Sequence, residues 1–181
     1  MVRTRVGYAG GTRPAPTYGA MGDHTETFQV DFDPSVTSYA KLLEVFWRSH
    51  DPTGPAWSRQ YRALILVDGP AQRKAAEASR AAYQARLSKP ITTAIEELGE
   101  FTRAEDYHQK FRLRNTPQLL APLLQAYPKG DAFTDSTAAM RLNAYLAGHG
   151  DAEQLQRELP KLGLDEGGQR LLREAFEKQR R

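Results

Sequence analysis

The fold class that this sequence predicts is α+β, a sheet with helices against it followed by a helical C-terminal part, and three observations predict it. Residues 24–32 put His24, Glu26, Phe28, Val30 and Phe32 on one face of an extended chain and Thr25, Thr27, Gln29 and Asp31 on the other, the two-residue period of a strand. Tyr39, Leu42, Leu43, Phe46 and Trp47 recur at i, i+3, i+4, i+7 and i+8, which is one stripe of a helix. Beyond Asp106 the sequence carries helical runs and no strand pattern. A half-apolar strand and a striped helix must each bury one face, so they pack together.

Taken in order, Arg3 to Ala9 alternates as a strand, and Gly10-Gly11 with Pro14 and Pro16 marks a loop that runs to about Asp23. The second strand, His24 to Phe32, carries Glu26 in its apolar row. After Asp33-Pro34, Ser38 is placed to cap the first helix, which ends near His50-Asp51-Pro52. A short loop, Gly54 to Arg59, leads to a third strand, Tyr61 to Val67, whose apolar run predicts cover on both faces. Gly69-Pro70 opens an Ala-, Arg- and Lys-rich helix to about Ser88, and Pro90 precedes a fourth strand, Ile91 to Glu97. Leu119, Leu120, Leu123 and Leu124 begin the helical text, which continues at 138–146, 152–159 and 168–176. The domain reading is therefore 1–129 for the sheet-bearing domain and 130–181 for a helical extension.

The 181 residues are 40% hydrophobic and 26% charged, and no stretch reaches the roughly 18 apolar residues of a membrane span. With no secretory pattern at the N-terminus, the expected location is cytoplasmic, with no membrane partner. The net charge of +3 is spread along the chain with acidic residues interleaved. That is no phosphate-tracking stripe, and nucleic acid is not expected as a partner. The cysteine count is zero, which excludes disulfides, thiolate metal sites and cysteine nucleophiles from these residues.

Glu26 is the most informative residue by chemistry alone. A carboxyl on the apolar face of a strand beside a Gly-rich loop is expected to lose hydration and suit a proton donor; the alternative is a strand-end glutamate turned to solvent or paired with an arginine. Tyr8, Tyr18 and Tyr61 fall at strand or loop edges, where a phenol can donate to an oxygen-bearing substrate or simply pack with a wet tip. His24 and Glu26 share a face, but two groups do not make a metal site, and no metal is expected. Gly7, Gly10 and Gly11 read as a turn rather than a phosphate cradle, because no helix follows them directly. Ala104-Glu105-Asp106-Tyr107-His108-Gln109 reads as a polar helix start or as part of a site.

Read together, Val6-Gly7-Tyr8-Ala9-Gly10-Gly11, Pro16-Thr17-Tyr18, Gly22-Asp23-His24-Thr25-Glu26, Asp33-Pro34, Phe46-Trp47, His50-Asp51-Pro52-Thr53, Gln60-Tyr61-Arg62, Ile91-Thr92-Thr93 and Ala104 to Gln109 resemble, in order and spacing, the class A peptide methionine sulfoxide reductases. The resemblance covers roughly residues 2–117. It implies a ferredoxin-like split β-α-β sandwich that here lacks its first strand and helix, ahead of the helical extension. It also implies a peptide-methionine (S)-S-oxide reductase, a protein-repair enzyme of oxidative stress, acting on oxidised proteins or free methionine sulfoxide. In such enzymes a thiolate or selenolate attacks the sulfoxide sulfur while a protonated glutamate and two tyrosines hold the oxygen. By resemblance Glu26 is that acid and Tyr18 and Tyr61 are the hydroxyls. Trp57 and Arg59, in a loop shorter than the family's usual one, would shape the adjoining wall, and His24, Asp106, Tyr107 and His108 would be binding residues.

The family's Gly-Cys-Phe-Trp block, sometimes with selenocysteine, stands upstream of the Val6-Gly7-Tyr8 motif and is not matched here. The expectation is that the nucleophile lies in a missing upstream segment and that the chain as written is inactive. No bound cofactor is implied; thioredoxin or another dithiol would be the external reductant, acting on a monomer. Two other readings stay open: a non-catalytic module that binds methionine sulfoxide or a protein, and an unrelated hydrolase built on Glu26, Asp106 and His108.

Overall fold

The computed structural model describes residues 1–180, which form two compact units, one of residues 6–105 and one of residues 1–5 with those from Asp106 onward. The chain is mixed α and β with small sheets. β1 (Arg3–Ala9), whose residues 6–9 belong to the first unit, forms with β2 (Thr25–Asp31) and β5 (Thr102–Arg103) a three-stranded sheet in the order β2-β1-β5. β5 is a strand that the sequence pattern did not reveal. It is only two residues long and pairs antiparallel with β1, Gly7 opposite Arg103 and Tyr8 opposite Thr102. Gly7 is required by this pairing, because a Cβ there would collide with the Thr102 carbonyl and the Phe101 ring.

β3 (Leu64–Val67) and β4 (Ala94–Glu97) form a second sheet, parallel, with Leu64 opposite Ala94 and Val67 opposite Glu97. Both strands start later than their sequence patterns predict. The Tyr61 N–H closes a turn onto Ser58 O, and the Thr92 N–H goes to Pro52 O at 2.8 Å, so these residues spend their backbone bonds on loops. α1 (Tyr39–Arg48) and α2 (Pro70–Gln84) lie on this sheet. Ser38 caps α1 as expected, its hydroxyl accepting from Lys41 N. Leu43 and Trp47 of the predicted stripe are buried with Ile65, Val67 and Ala76. The Trp47 indole stacks on Tyr83 and donates to Ser79 Oγ at 3.0 Å. Cover on both faces of β3 is not found: Ile65 and Val67 are buried but Leu64 and Leu66 are only half-buried.

The alternation in β2 is present, but its covered face is the other one. Thr25 is buried, whereas Glu26 is exposed and Phe28 is 61% exposed. In the apolar row His24 is buried and Val30 and Phe32 are half-buried, but Glu26 and Phe28 at its centre are exposed, so the loss of hydration expected for Glu26 does not occur. Its carboxyl is wet.

The second unit is helical: α3 (Phe111–Arg114), α4 (Pro117–Ala126), α5 (Ala132–Asp135), α6 (Thr137–Tyr145), α7 (Ala152–Glu158) and α8 (Glu166–Gln179). Ser136, Asp151 and Asp165 cap α6, α7 and α8 through their side-chain oxygens. One apolar core runs through Leu113, Leu119 and Leu123, then Phe133, Leu142, Tyr145, Leu155, Leu159, Leu172 and Phe176. A boundary after residue 129 would cut this core, because Leu113, Leu119 and Leu123 precede it. The first residues of the chain are tied in by polar contacts: Arg5 Nε donates to Asp135 Oδ1 at 2.8 Å, and the buried Lys110 ammonium donates to Thr4 O at 2.6 Å. A buried cation so bonded avoids most of its desolvation penalty.

Candidate active site

The site is assembled by a backbone clasp at the start of β2. Glu26 N donates to Gln60 O at 3.0 Å, and the buried Thr25 hydroxyl donates to Arg59 O at 3.0 Å. Arg62 Nε donates back to Thr25 Oγ1 at 3.0 Å while its guanidinium forks onto Glu96, with Nη2 at 2.7 Å. This two-pronged ion pair fixes both charged groups and holds the Glu96 pKa below its ordinary value. Residues 59–61 are thereby laid beside Glu26.

A second clasp folds the loop between β1 and β2. The Asp23 carboxylate accepts from Thr12 N at 2.9 Å, from the Thr12 hydroxyl and from Arg13 N at 3.1 Å. These donors, the Thr12 N–H first, push the Asp23 pKa far below the usual carboxylate range. Gly11 lets the loop approach this closely, since a Cβ there would sit 2.6 Å from His24 N. A tight turn, Ala20 N to Thr17 O at 3.0 Å, then carries Tyr18. Tyr18 N donates to Glu105 Oε1 at 3.0 Å, and Glu105 Oε2 accepts from the Tyr8 hydroxyl at 2.6 Å. Tyr8 is thus a buried packing residue with a bonded tip.

These clasps bring Glu26, Tyr18 and Tyr61 together. Gln60 Nε2 donates to Glu26 Oε1 at 2.8 Å and to the Tyr61 oxygen at 2.9 Å. Tyr61 is also hydrogen-bonded to Tyr18, and that bond, with partial desolvation and the Glu26 charge, raises the Tyr61 pKa above 10.0. Its hydroxyl therefore stays protonated at neutral pH and is available as a donor. The cluster is open rather than enclosed: Tyr18 is 46% and Tyr61 45% exposed. Trp57, 78% exposed, sets its ring edge-on to Tyr61 with centroids 5.0 Å apart, forming an apolar flank.

Other candidate residues do different work. Arg59 spends its guanidinium on the Asp23 and Gly10 carbonyls. His24 is buried, its Nε2 faces Arg13 O at 2.8 Å and must carry the hydrogen, and its Nδ1 has no hydrogen-bond partner among the described residues. Both therefore brace the loop. Asp106, Tyr107 and His108 form a 3₁₀ turn in the helical unit, with the Tyr107 and His108 rings 4.1 Å apart. Sequence reasoning assigned no role to Gln60, Glu105 or Asp23. All three stood inside quoted motifs, but only the spatial pairing shows what they hold.

Residues 1–140 match the family model described as peptide methionine sulfoxide reductase. A Drosophila melanogaster peptide methionine sulfoxide reductase is 44% identical over 91% of this chain and 66% of its own length. The A5 peptide methionine sulfoxide reductase of Oryza sativa subsp. japonica is 44% identical over 81% of this chain and 59% of its own. The chain thus spans less than two thirds of either relative. Among solved structures, reduced Mxr1 from Saccharomyces cerevisiae superposes with a TM-score of 0.55 at 28% identity, over 74% of this chain and 75% of that one.

Proposed function

Since the chain belongs to the peptide methionine sulfoxide reductase family, we propose that it supplies the oxygen-binding, proton-donating side of a peptide-methionine (S)-S-oxide reductase. The observation that carries this reading is the convergence of Glu26, Tyr61 and Tyr18 around one open surface, bridged by Gln60. A sulfoxide oxygen placed there takes hydrogen bonds from the two phenols, and Glu26, in its acid form, transfers a proton to it. Trp57 supplies an apolar surface for the methyl group or the flanking peptide.

The chain holds no cysteine, so the proposal places the nucleophile, a cysteine or selenocysteine, on a segment outside these residues. Its thiolate or selenolate bonds to the sulfoxide sulfur while Glu26 protonates the oxygen; the hydroxyl then passes from that sulfur to the nucleophile as the substrate S–O bond and the transient S–S or Se–S bond break, leaving a sulfenic or selenenic acid and releasing methionine. A dithiol such as thioredoxin then reduces that acid, becoming a disulfide and releasing water. In the same proposal a strand bearing the nucleophile completes a ferredoxin-like split β-α-β sandwich by joining the two small sheets, and the enzyme works as a monomer in the cytoplasm, on oxidised proteins or free methionine sulfoxide.

The test is to fuse the chain to a cysteine-bearing strand that completes the sheet. The fusion should reduce the S epimer of a methionine sulfoxide peptide and not the R epimer. Glu26→Gln should lower its turnover by about 10²–10⁴. A folded fusion that is inactive, or one indifferent to Glu26→Gln, would remove the reading. The zero cysteine count favours one competitor, a module that binds methionine sulfoxide without reducing it; binding with no turnover by the fusion would select it.

A further inference from the structure

We infer that Gln60 is a positioning residue that sets which oxygen of Glu26 carries the proton and holds the Tyr61 hydroxyl in line with it. This rests on the reading of Glu26 as the proton donor. The carboxamide nitrogen has two hydrogens and two acceptors, Glu26 Oε1 at 2.8 Å and the Tyr61 oxygen at 2.9 Å. One planar amide group thus bonds both groups. The main chain fixes the fork, because Gln60 O accepts from Glu26 N at 3.0 Å. Gln60 is half-buried while Glu26 and Tyr61 are exposed, so the amide is the better-held member of the three.

Two chemical consequences follow from the donor direction. A carboxyl oxygen that already accepts an amide N–H is the carbonyl-like one, so in the acid form the proton sits on Oε2, the oxygen that Gln60 leaves open. Gln60 also occupies a lone pair of the Tyr61 oxygen, which turns that phenol's own hydrogen away from the amide and toward Tyr18, Glu26 or an incoming oxygen. The amide so converts two wet side chains with many orientations into a matched pair of donors, and the ordering that a substrate would otherwise impose is already made.

The test uses the full 181-residue chain, with N-acetylated methionine-(S)-sulfoxide amide as probe and the methionine thioether amide, which presents no oxygen, as reference. Gln60→Met keeps the shape and removes both donors; Gln60→Glu keeps the shape and replaces donors with acceptors. Each should weaken sulfoxide binding by about three- to tenfold, the worth of one or two hydrogen bonds, with thioether binding unchanged. Against the spectrum of the unsubstituted protein, Glu26→Gln and Tyr61→Phe should each move the Gln60 side-chain amide proton signals, one hydrogen responding to each partner. Sulfoxide binding that is unchanged in both Gln60 variants overturns the inference, and so do amide signals that ignore both partners. If the unsubstituted chain binds no sulfoxide, the functional reading fails by itself, and the amide signals still decide whether Gln60 couples the pair.

Discussion

The helical unit and the sheet unit are held together by opposite means. In the helical unit, Leu113, Leu119, Leu142 and Leu172 are fully buried in one continuous core, and three helices carry side-chain caps. The sheet unit has two separate small cores around Trp47 and Tyr8, and it leaves Tyr18, Phe28, Trp57 and Tyr61 exposed. Its loops are held instead by polar clasps built on Asp23, Thr25, Arg62 and Glu105. Apolar packing gives stability without aiming any group, whereas hydrogen-bonded clasps aim groups at modest net stability. The difference teaches where chemistry can sit: the region that carries the proposed site keeps its polar and aromatic groups wet and oriented.

The largest effect is expected from cutting the chain after Gly130. That removes the partners of Leu113, Leu119 and Leu123, so the remaining fragment should aggregate and show no cooperative melt for 106–130. Retention of a cooperative transition there would show that these leucines have another cover. Next is Leu172→Ala, a fully buried site, which should destabilise the helical unit by about 2–5 kcal/mol in denaturant unfolding. A loss under about 1 kcal/mol would contradict a close-packed core.

A smaller effect separates the units by pH. Tyr145 is buried and donates to Glu158 at 2.7 Å; burial first, then that bond, raises its pKa. For Glu158, burial opposes ionisation, but bonds from Gln154 and Tyr145 and the Arg141 charge outweigh it and lower the pKa from 4.5. A depressed carboxyl contributes stability that is present above its unfolded value and is lost as pH falls through the folded one. Glu158→Gln should therefore destabilise the helical unit by about 1–3 kcal/mol at neutral pH. The gap should close as pH drops below the ordinary 4.5. A gap that persists in acid would mean that the charge is not what stabilises. The smallest effect is expected in the sheet unit: Phe28→Ser, at 61% exposure, should shift stability by less than about 0.5 kcal/mol.

Helices were the most legible part of the fold, because Ser38 and the Tyr39-to-Trp47 stripe declare both the start and the buried face of α1. Strand edges were less so. Residues 61–63 and 91–93 look like strand, but Tyr61 and Thr92 bond to loops, and β5 is too short to show a period. Alternation located the apolar row of β2 but not whether anything covers it, so Glu26 was expected dry and is wet. The boundary placed after residue 129 rests on a Pro- and Gly-bearing stretch, 128–130, that looks like a linker, whereas Leu119 and Leu123 before it share one core with residues after it. For the site, the motif order pointed to Glu26, Tyr18 and Tyr61. Gln60 and Glu105 could not be found that way, since their part is set by partners 34 and 87 residues away.

The most direct measurement is sulfoxide binding by the 181-residue chain, followed by amide and side-chain signals in solution. The S epimer of a methionine sulfoxide peptide should perturb Tyr18, Glu26, Gln60 and Tyr61 and leave the core of α8 unmoved. Tyr61→Phe should weaken the effect by about three- to tenfold. Perturbation elsewhere with these four residues silent, or equal response to the R epimer, would contradict the assignment of the oxygen-binding side of the reductase to this surface.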